Sequence, residues 1–392
     1  MNLTAHAHGM DGTLVEADWP PLERDEVRAV LENYAGFDGS IEILSTSPRP
    51  FSATSVVLAG GKSVFIKRHH RSVRDKDGLR EEHRFIDYLR RRGAAVPAVL
   101  LSIGGETAIE KGAWTYEVHE AATGIDLYEE AVSWTPFHCA AHARSAGQAL
   151  ARLHEAAEGF VAPARKTQPL VSSFSIFAGS DAAGATIGYL EARPALANDR
   201  ETRDNCKRAL ELLGPFREEI SPLLPALKPL WTHNDLHASN LFWSDGSDDS
   251  NAVTIIDFGL ADRTNAVYDL ALAIERNVIE WLKLGADDEA DEKVPVHIDH
   301  MLALLDGYES ERPLAVEERA ALAPMLALCH VEFALTEADY FLGVLHSRDK
   351  ARLAMDGYLV GHARWFRSEC GERLLNVLRR WASDRSRAGS KP

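Results

Sequence analysis

A chain of 392 residues with 45% hydrophobic and 26% charged residues has an ordinary globular composition, which excludes wholesale disorder. Its length allows a large core divided between two lobes. The formal net charge of -16 excludes the basic surface that non-specific nucleic-acid binding requires, so no nucleic-acid partner is expected. The acidic excess would suit a cationic small molecule, although solubility alone also explains it.

Signals for export, membrane insertion and disulfide formation are absent from the sequence. No apolar run reaches the ~20 residues of a membrane span. The stretch M-N-L-T-A-H-A-H-G-M-D-G has no basic region followed by an apolar one, so no export signal is predicted. The four cysteines are scattered without a C-x-x-C pair, which is typical of a reducing compartment. We expect a cytoplasmic protein without a membrane partner.

The first part of the chain is predicted to be mostly β. Residues 22–34 have apolar side chains at near-helical spacing, and the charged segment 79–93 has an apolar side and a terminal glycine, so both are predicted helices. The A-G-G-K stretch at 59–62 is typical of a hairpin turn. Five β-rich runs are predicted strands, at 41–44, 54–58, 63–67, 98–102 and 114–118.

Beyond about residue 120 the pattern becomes helical. An exception is the pair of runs N-L-F-W (240–243) and A-V-T-I-I-D-F-G (252–259), which flank an acidic, glycine-containing loop and predict a buried hairpin. The sequence therefore predicts a bilobal α+β fold, with a β-rich lobe over 1–120 and a helical lobe over 121–392 that holds this hairpin. Helices are predicted around 146–154, 210–213, 270–282 and 325–335.

Two polar stretches bracket the predicted hairpin. Taken alone, H-N-D-L-H-A-S-N (233–240) could be a polar turn or a helix cap. The second stretch, I-I-D-F-G, places another aspartate at the end of the next strand, which makes coincidence much rarer. Together they resemble the catalytic loop and the metal-binding D-F-G of kinases.

This resemblance implies a role for each polar residue. Asp235 would accept the proton of a substrate hydroxyl or orient that group. Asn240 and Asp257 would give oxygen ligands to Mg²⁺, and the hairpin would bring these two residues, 17 positions apart, to one end of a ribbon. His233 would pack behind the loop without taking part in the chemistry.

The order of further short motifs resembles the aminoglycoside phosphotransferase and choline kinase group over roughly residues 38 to 275. These motifs are I-K-R, E-E-H-R-F-I-D-Y-L, V-P-A-V, L-A-R-L-H and the trailing Y-D-L-A. The resemblance implies a protein-kinase-like fold that uses ATP or GTP with Mg²⁺. It also implies a small-molecule acceptor, bound in the helical lobe, whose hydroxyl receives the phosphoryl group.

The same resemblance assigns a lysine and a glutamate in the first lobe. Lys67 ends the third predicted strand, where it would bind nucleotide phosphates, and Glu82 on the next helix would hold it by an ion pair. Alone, Lys67 would be taken for a solvated strand end. Glu81 is the alternative partner, but counting back from Tyr88 as in aminoglycoside kinases favours Glu82.

Two departures from protein kinases indicate a small acceptor. His237 stands where those enzymes usually carry lysine, and only eleven residues, without A-P-E, separate Asp257 from Asp269. A polypeptide acceptor needs the longer platform, so a protein kinase is a distant third hypothesis. Asp269 could support the catalytic loop by hydrogen bonds or cap the helix that begins at Leu270.

The nucleotide contacts are predicted less directly. The stretch S-T-S-P-R-P-F-S-A-T has no glycine, and its prolines remove donors, so Ser52 to Thr54 would have to supply the phosphate contacts. This loop motivates the rival hypothesis of a nucleotide-binding pseudokinase or regulator without turnover. Main-chain groups from Glu117 to His119 would read the adenine edge, unless that segment is a plain edge strand.

Several histidines and carboxylates lie outside these motifs. His69 and His70 follow a strand and are expected to face solvent, and the spacing of His297 and His300 is only a weak indication of a metal site. Four carboxylates on otherwise apolar helices could pair with a substrate amine, or belong to solvated faces or internal salt bridges. They are Glu275, Glu332, Glu337 and Asp339.

Overall fold

The computed structural model describes residues 17–47, 50–284 and 294–388. Its β-rich part is a five-stranded antiparallel sheet in the order β1-β2-β3-β5-β4. The glycines of the A-G-G-K stretch, Gly60 and Gly61, both have positive φ, as the predicted hairpin turn requires. The strands are β1 Ile41–Ser47, β2 Ala53–Ala59, β3 Lys62–His70, β4 Ile109–Lys111 and β5 Trp114–Glu120.

One predicted strand is wrong. Residues 98–102 form a single bridge, between Val99 and His119, and the strand that pairs with β5 at the sheet edge is β4 instead. Pro97 precedes the segment and has no N–H to give to a ladder, which explains why the apolar run does not continue as a strand.

The two faces of the sheet differ in character. Helix α1 (Arg24–Leu31) packs its apolar side against one face, where Val57, Ile66 and Val118 form a small separate core. Helix α2 (Lys76–Arg91) instead gives its apolar residues Phe85 and Leu89 to the core of the helical lobe. The second face of the sheet therefore meets α2 through polar side chains, and the candidate site lies on this side.

Eleven helices of the described residues form the second part. The stretch Val316–Gly343 could span a membrane by length and composition, but 94% of its apolar 18-residue window is buried inside the protein. This stretch consists of two helices, because the chain turns at Cys329 and His330. The single helix expected at 325–335 is therefore wrong. The apolar pattern continues unbroken through the turn and does not reveal it. His330 is held there by Leu359 O at 3.1 Å. The helices are α3 Ala140–Ala157, α4 Ala182–Glu191, α5 Pro194–Ala197, α6 Arg200–Ile220, α7 Ala266–Val278, α8 Ile298–Glu311, α9 Val316–Leu328, α10 Val331–Gly343, α11 Arg348–Arg352, α12 Gly361–Phe366 and α13 Glu369–Ala388.

Two short ribbons in the helical part carry the polar loops. Strand β6 (Pro229–Thr232) pairs with β9 (Asp262–Asn265), and β7 (Leu241–Trp243) pairs with β8 (Ala252–Ile255). The β7–β8 pair is the predicted hairpin. The H-N-D-L-H-A-S-N loop precedes β7 and the D-F-G follows β8, so antiparallel pairing brings both to the same end of the ribbon.

Candidate active site

The catalytic loop is tied down from beneath by one buried carboxylate. Asp269 accepts hydrogen bonds from the N–H groups of His233 and Asn234, both at 2.8 Å, and faces His154 Nε2 at 2.9 Å. Burial raises the pKa of Asp269, but His154 and these N–H groups outweigh it and lower the pKa overall. The cap of α7 is Asn265, so of the two roles considered for Asp269, support of the loop is the one observed.

His233 joins the two polar loops. Its Nε2 lies 2.9 Å from Ile256 O, and its Nδ1 lies 3.1 Å from the main-chain nitrogen of Asp235. The Asp235 N–H must donate, so Nδ1 is the acceptor and Nε2 carries the proton that goes to Ile256 O. Burial lowers the pKa of His233, which agrees with this neutral form. The expected supporting role of His233 is therefore confirmed.

Asp235 emerges from this support with its side chain 18% exposed and held from two sides. Asn240 Nδ2 donates to Asp235 O at 2.9 Å and lies 3.4 Å from Asp235 Oδ2. On the other side Asp235 forms an ion pair with Arg276 of α7, which is fully buried. The Arg276 guanidinium lies 4.9 Å from the ring centres of both Trp134 and Phe333. An aspartate so fixed can point at a substrate hydroxyl without losing side-chain freedom on binding.

Arg276 was missed by the sequence reasoning. The available signal was the E-R-N triplet in the middle of the apolar run 270–282, where an unpaired charge would be too costly to bury. All three residues prove to be used: Glu275 faces His362 at 3.0 Å, and Asn277 Oδ1 accepts a hydrogen bond from Ala238 N in the catalytic loop at 2.9 Å.

Asn240 and Asp257 lie at the same end of the hairpin. The main chains of the two loops meet there, because Ile256 N–H donates to Asn240 O at 3.0 Å. Since the amide nitrogen of Asn240 is engaged by Asp235, its Oδ1 remains as an oxygen ligand. Asp257 adds a carboxylate that is 40% exposed. A carboxylate and an amide oxygen at one loop edge suit Mg²⁺, which prefers hard oxygen ligands.

Lys67 reaches this same place from the sheet. Its Nζ lies 2.8 Å from Asp257 Oδ1, and its side chain is only 10% exposed. Burial lowers the pKa of Lys67, but Asp257, Glu117 and Glu82 together raise the pKa above its usual value, so the ammonium is retained. Burial likewise pushes the pKa of Asp257 up, yet Lys67 holds it well below the ordinary range. The β3 lysine and the D-F-G aspartate thus form one charged cluster.

The expected ion pair between Lys67 and Glu82 is wrong for this structure. Glu82 Oε2 lies 3.6 Å from Arg165 Nη1, and among the described residues no ion pair joins Glu82 to Lys67. Arg165 is fully buried and also donates to Gly78 O at 3.0 Å and Gly259 O at 3.1 Å. It therefore links α2 to the chain just beyond the D-F-G, and Glu82 serves that link.

Comparison with known proteins agrees with this geometry. The model of the Phosphotransferase enzyme family (APH) matches residues 50–314, which is more than half of the chain. The chain belongs to this phosphotransferase family. It is 30% identical over 196 residues to a homoserine kinase of Sinorhizobium fredii (strain NBRC 101917 / NGR234), which covers 48% of each protein. The chain thus spans about half the length of that curated relative.

Solved structures show the fold of this chain. A microcompartment-associated aminopropanol kinase superposes with a TM-score of 0.57 at 19% identity, covering 91% of this chain and 99% of the other. An amicoumacin kinase in complex with AMP-PNP and Ca²⁺ superposes with a TM-score of 0.54 at 15% identity, covering 88% and 94%. The bilobal protein-kinase-like α+β fold is confirmed, and family membership supports phosphotransfer to a small molecule.

The residues predicted to contact phosphate lie at the start of β2. Thr54 is buried and is the ladder partner of Ser47 on one side and Lys67 on the other. Partners on adjacent strands share a face, so the Thr54 hydroxyl lies on the Lys67 side of the sheet. Ser52 precedes the strand and is half-buried. Their phosphate contacts stay predictions.

A strained residue replaces the missing glycine in this loop. Phe51 has φ of 76°, which is unusual for a bulky residue and is held by its surroundings. Its ring lies 5.2 Å from that of Tyr340 on α10, and its carbonyl accepts a hydrogen bond from Trp19 Nε1 at 3.2 Å. The loop therefore contacts the helical lobe through Phe51. Of the two prolines expected to remove donors from this loop, Pro50 is among the described residues and Pro48 lies outside them.

The predicted adenine contact at Glu117 to His119 stays a prediction. Glu117 and His119 are ladder partners of β3 residues, and the carbonyl of Val118 accepts a hydrogen bond from Leu100 N–H at 2.8 Å. The sheet thus uses several of the main-chain groups that are expected to read the purine. The first main-chain groups beyond the strand belong to residues that follow Glu120.

Proposed function

We propose that the protein is an ATP-dependent kinase that moves the γ-phosphoryl group to a hydroxyl of a small molecule. The observation that carries this proposal is the convergence of four side chains from distant parts of the sequence. Asp235 and Asn240 are in contact at one end of the β7–β8 hairpin, and the Lys67–Asp257 ion pair lies at that same end. Phosphoryl transfer depends on such positioning and charge stabilisation.

Each residue has a separate part in the proposed mechanism. Asp235, fixed by Arg276 and Asn240, accepts the hydroxyl proton or orients that hydroxyl toward the phosphorus atom. Lys67 binds phosphate oxygens as a permanent ammonium. Asn240 Oδ1 and the Asp257 carboxylate would hold Mg²⁺, which when bound neutralises phosphate charge.

The nucleotide is proposed to lie in the cleft between a lobe of residues 1–120 and a lobe of residues 121–392, with adenine beside the chain that follows Glu120. The adenine nucleotide in the similar amicoumacin kinase structure favours ATP over GTP. Ser52 and Thr54 would contact the phosphates. A cytoplasmic location fits such a nucleotide-dependent enzyme and stays a prediction.

The four carboxylates considered for the acceptor differ in their contacts. Glu332 accepts hydrogen bonds from Ser173, Ser175 and the main chain, so it ties loop to helix. Asp339 lies 3.8 Å from Arg193, and Glu275 faces His362. Glu337 is 1% exposed, and its Oε2 receives no hydrogen bond from any described residue. Glu275 Oε2 also lacks one, but Glu275 Oε1 faces His362, so we take Glu337 as the candidate for an acceptor amine.

The surroundings of Glu337 favour a cation. Burial raises the pKa of Glu337 to about 8, with Arg276 lowering it and Asp18 raising it. Burial raises the pKa of Glu275 well above its usual value, and the nearby Glu337 carboxylate raises it further. The Arg276 guanidinium thus has three carboxylates near it, those of Asp235, Glu275 and Glu337. We infer an acceptor that carries an amine near the hydroxyl, as in an amino alcohol.

The Glu337→Gln variant is expected to raise the acceptor KM at least tenfold above pH 8 and change kcat less than about threefold, since a lost charge pair of 1.4 kcal/mol or more has that effect. With a pKa of about 8, the wild-type carboxyl ionises as the pH rises, so its KM for an ammonium acceptor should fall from pH 6.5 to 8.5. The variant should show no such fall. Steady-state kinetics over that range give both results.

Asp339→Asn is the matched control on the same helix, because its carboxylate pairs with Arg193 instead of facing Arg276. It should leave the acceptor KM and its pH profile unchanged. An unaltered KM in Glu337→Gln would remove the amine contact while leaving the kinase proposal intact.

A screen for ADP release over hydroxyl-bearing amines, sugars and antibiotics tests the function itself, with Asp235→Asn as blank. We expect at least one amine-bearing acceptor to give ADP release that the blank lacks. The glycine-free phosphate loop favours a second candidate, a nucleotide-binding protein without turnover. A thermal shift with Mg-ATP but no turnover on any acceptor would support that candidate instead.

A further inference from the structure

A buried carboxylate on β5 is surrounded by three imidazoles. Glu117 Oε2 lies 2.7 Å from His83 Nε2 and 2.7 Å from His119 Nε2, and Glu117 Oε1 lies 2.9 Å from His69 Nε2. The ligand-type atoms of His83, Glu117 and His119 all lie within 4.8 Å of one another. Three elements contribute, because His69 is on β3 and His83 is on α2. We call these four residues the histidine cluster.

The sequence did not predict that the residues of the histidine cluster are buried. His69 was expected to face solvent but is 5% exposed, and His83 and Glu117 are 2% and 1% exposed. The cluster fills the polar layer between α2 and the sheet, where no apolar core joins the two elements. His119 is only partly buried, so it leaves the cluster a side open to small solutes.

This set of side chains is a good ligand set for a transition metal. Neutral imidazole nitrogens and a carboxylate are preferred ligands of Zn²⁺, which takes four of them in a tetrahedron at about 2.0–2.2 Å. In this structure Nε2 of His83 donates to Glu117, so metal binding would move that proton to Nδ1, which has no hydrogen-bond partner among the described residues.

We propose that the histidine cluster is a structural binding site for a divalent transition metal of the Zn²⁺ type. Glu117 and the Nε2 atoms of His83 and His119 are the ligands, and His69 on β3 holds the other carboxylate oxygen of Glu117. The metal would join α2 to β5 in the layer that lacks apolar packing. Because Glu117 is the ladder partner of Lys67, it would also fix β3 next to the phosphate-binding lysine.

Tag-free wild-type protein, stripped with a chelator and freed of nucleotide, tests this proposal with Zn²⁺ and Co²⁺ alone. We expect a single equivalent of Zn²⁺ by elemental analysis, a visible Co²⁺ spectrum of tetrahedral type, and a higher melting temperature with Zn²⁺. His83→Ala and His119→Ala should each weaken Zn²⁺ binding by more than the roughly 10–100-fold that loss of an outer-shell partner costs.

His297→Ala is the control, since His297, Asp299 and His300 form the other grouping of ligand-type side chains in the described chain. It should retain full Zn²⁺ binding. A wild-type protein that binds no Zn²⁺ and gives no Co²⁺ spectrum overturns the proposal, whether or not the variants fold, and leaves three imidazoles that donate hydrogen bonds to Glu117. Loss of the metal in His297→Ala alone would overturn it as well. Neither result depends on the kinase proposal.

Discussion

The Asp235→Asn variant should lower kcat about 10³-fold, within the range that general-base catalysis contributes. Asparagine keeps the shape of the side chain and can still contact Asn240, but it cannot take the proton of the acceptor hydroxyl. It also removes the negative charge that faces Arg276, which is fully buried in α7. The kcat of ADP release with the acceptor found by screening measures the effect.

Nucleotide binding separates this result from a folding defect. Asp235 does not contact Lys67 or Asp257 in the structure, so the variant should keep the wild-type thermal shift with Mg-ATP. Asp249→Asn, an exposed aspartate in the β7–β8 loop, is the matched control and should retain wild-type kcat. Activity of Asp235→Asn within tenfold of wild type would mean that another group handles the proton.

The residues proposed for chemistry could be predicted because chemistry fixes their local spacing. Asn240 must follow Asp235 within one short loop, and Asp257 must end the returning strand, so the pattern is readable along the chain. The hairpin that brings them together has its own signal in two apolar runs around a polar loop. The support of the catalytic loop by Asp269 could also be predicted, because Asp269 lies shortly after the D-F-G.

The charge partners could not be predicted, because they are set by three-dimensional packing. Arg165 reaches Glu82 across more than 80 residues, and Arg276 reaches Asp235 from a helix that follows it. The spacing of these residues does not name their partners, although the E-R-N triplet in an apolar run signals that Arg276 must have one. The histidine cluster was missed for the same reason, since His69, His83 and Glu117 each looked ordinary in its own segment.

The errors in the fold have the same origin. An apolar run predicts burial, but it does not state which neighbour supplies hydrogen bonds, so 98–102 was predicted as a strand although it forms a single bridge. The turn between α9 and α10 likewise leaves the apolar pattern unbroken, because both helices are buried in one core. Local pattern identified the elements well where a turn or glycine marked their ends.

The ion pair between Lys67 and Asp257 leads to the second large effect. The Asp257→Asn variant should lower kcat on the order of 10³-fold, because a metal ligand at a phosphoryl-transfer site is worth several kcal/mol. The wild-type protein should gain more thermal stability from ATP with Mg²⁺ than from ATP alone, and the variant should lose that difference. Thermal shift assays with and without Mg²⁺ measure it directly.

The same variant removes the counter-charge of a buried ammonium, so it should also unfold at a lower temperature than the wild type at pH 7. The folded pKa of Asp257 is depressed, so its stabilising contribution is complete above the ordinary aspartate pKa of about 3.9 and is lost as the pH falls through the folded value. The difference in melting temperature should therefore shrink below about pH 4. A difference that stays constant there would contradict the ion pair.

Glu82→Gln tests whether Asp257 is the functional partner of Lys67. Glu82 lies against Arg165, so its neutral variant should lower kcat less than tenfold, far less than Asp257→Asn. An equal loss in both variants would mean that Lys67 exchanges partners when nucleotide binds, because Mg²⁺ would then occupy the Asp257 carboxylate and leave the ammonium to Glu82. A small effect would instead mean that α2 contributes to catalysis through its link to Arg165, with the lysine held by the D-F-G aspartate alone.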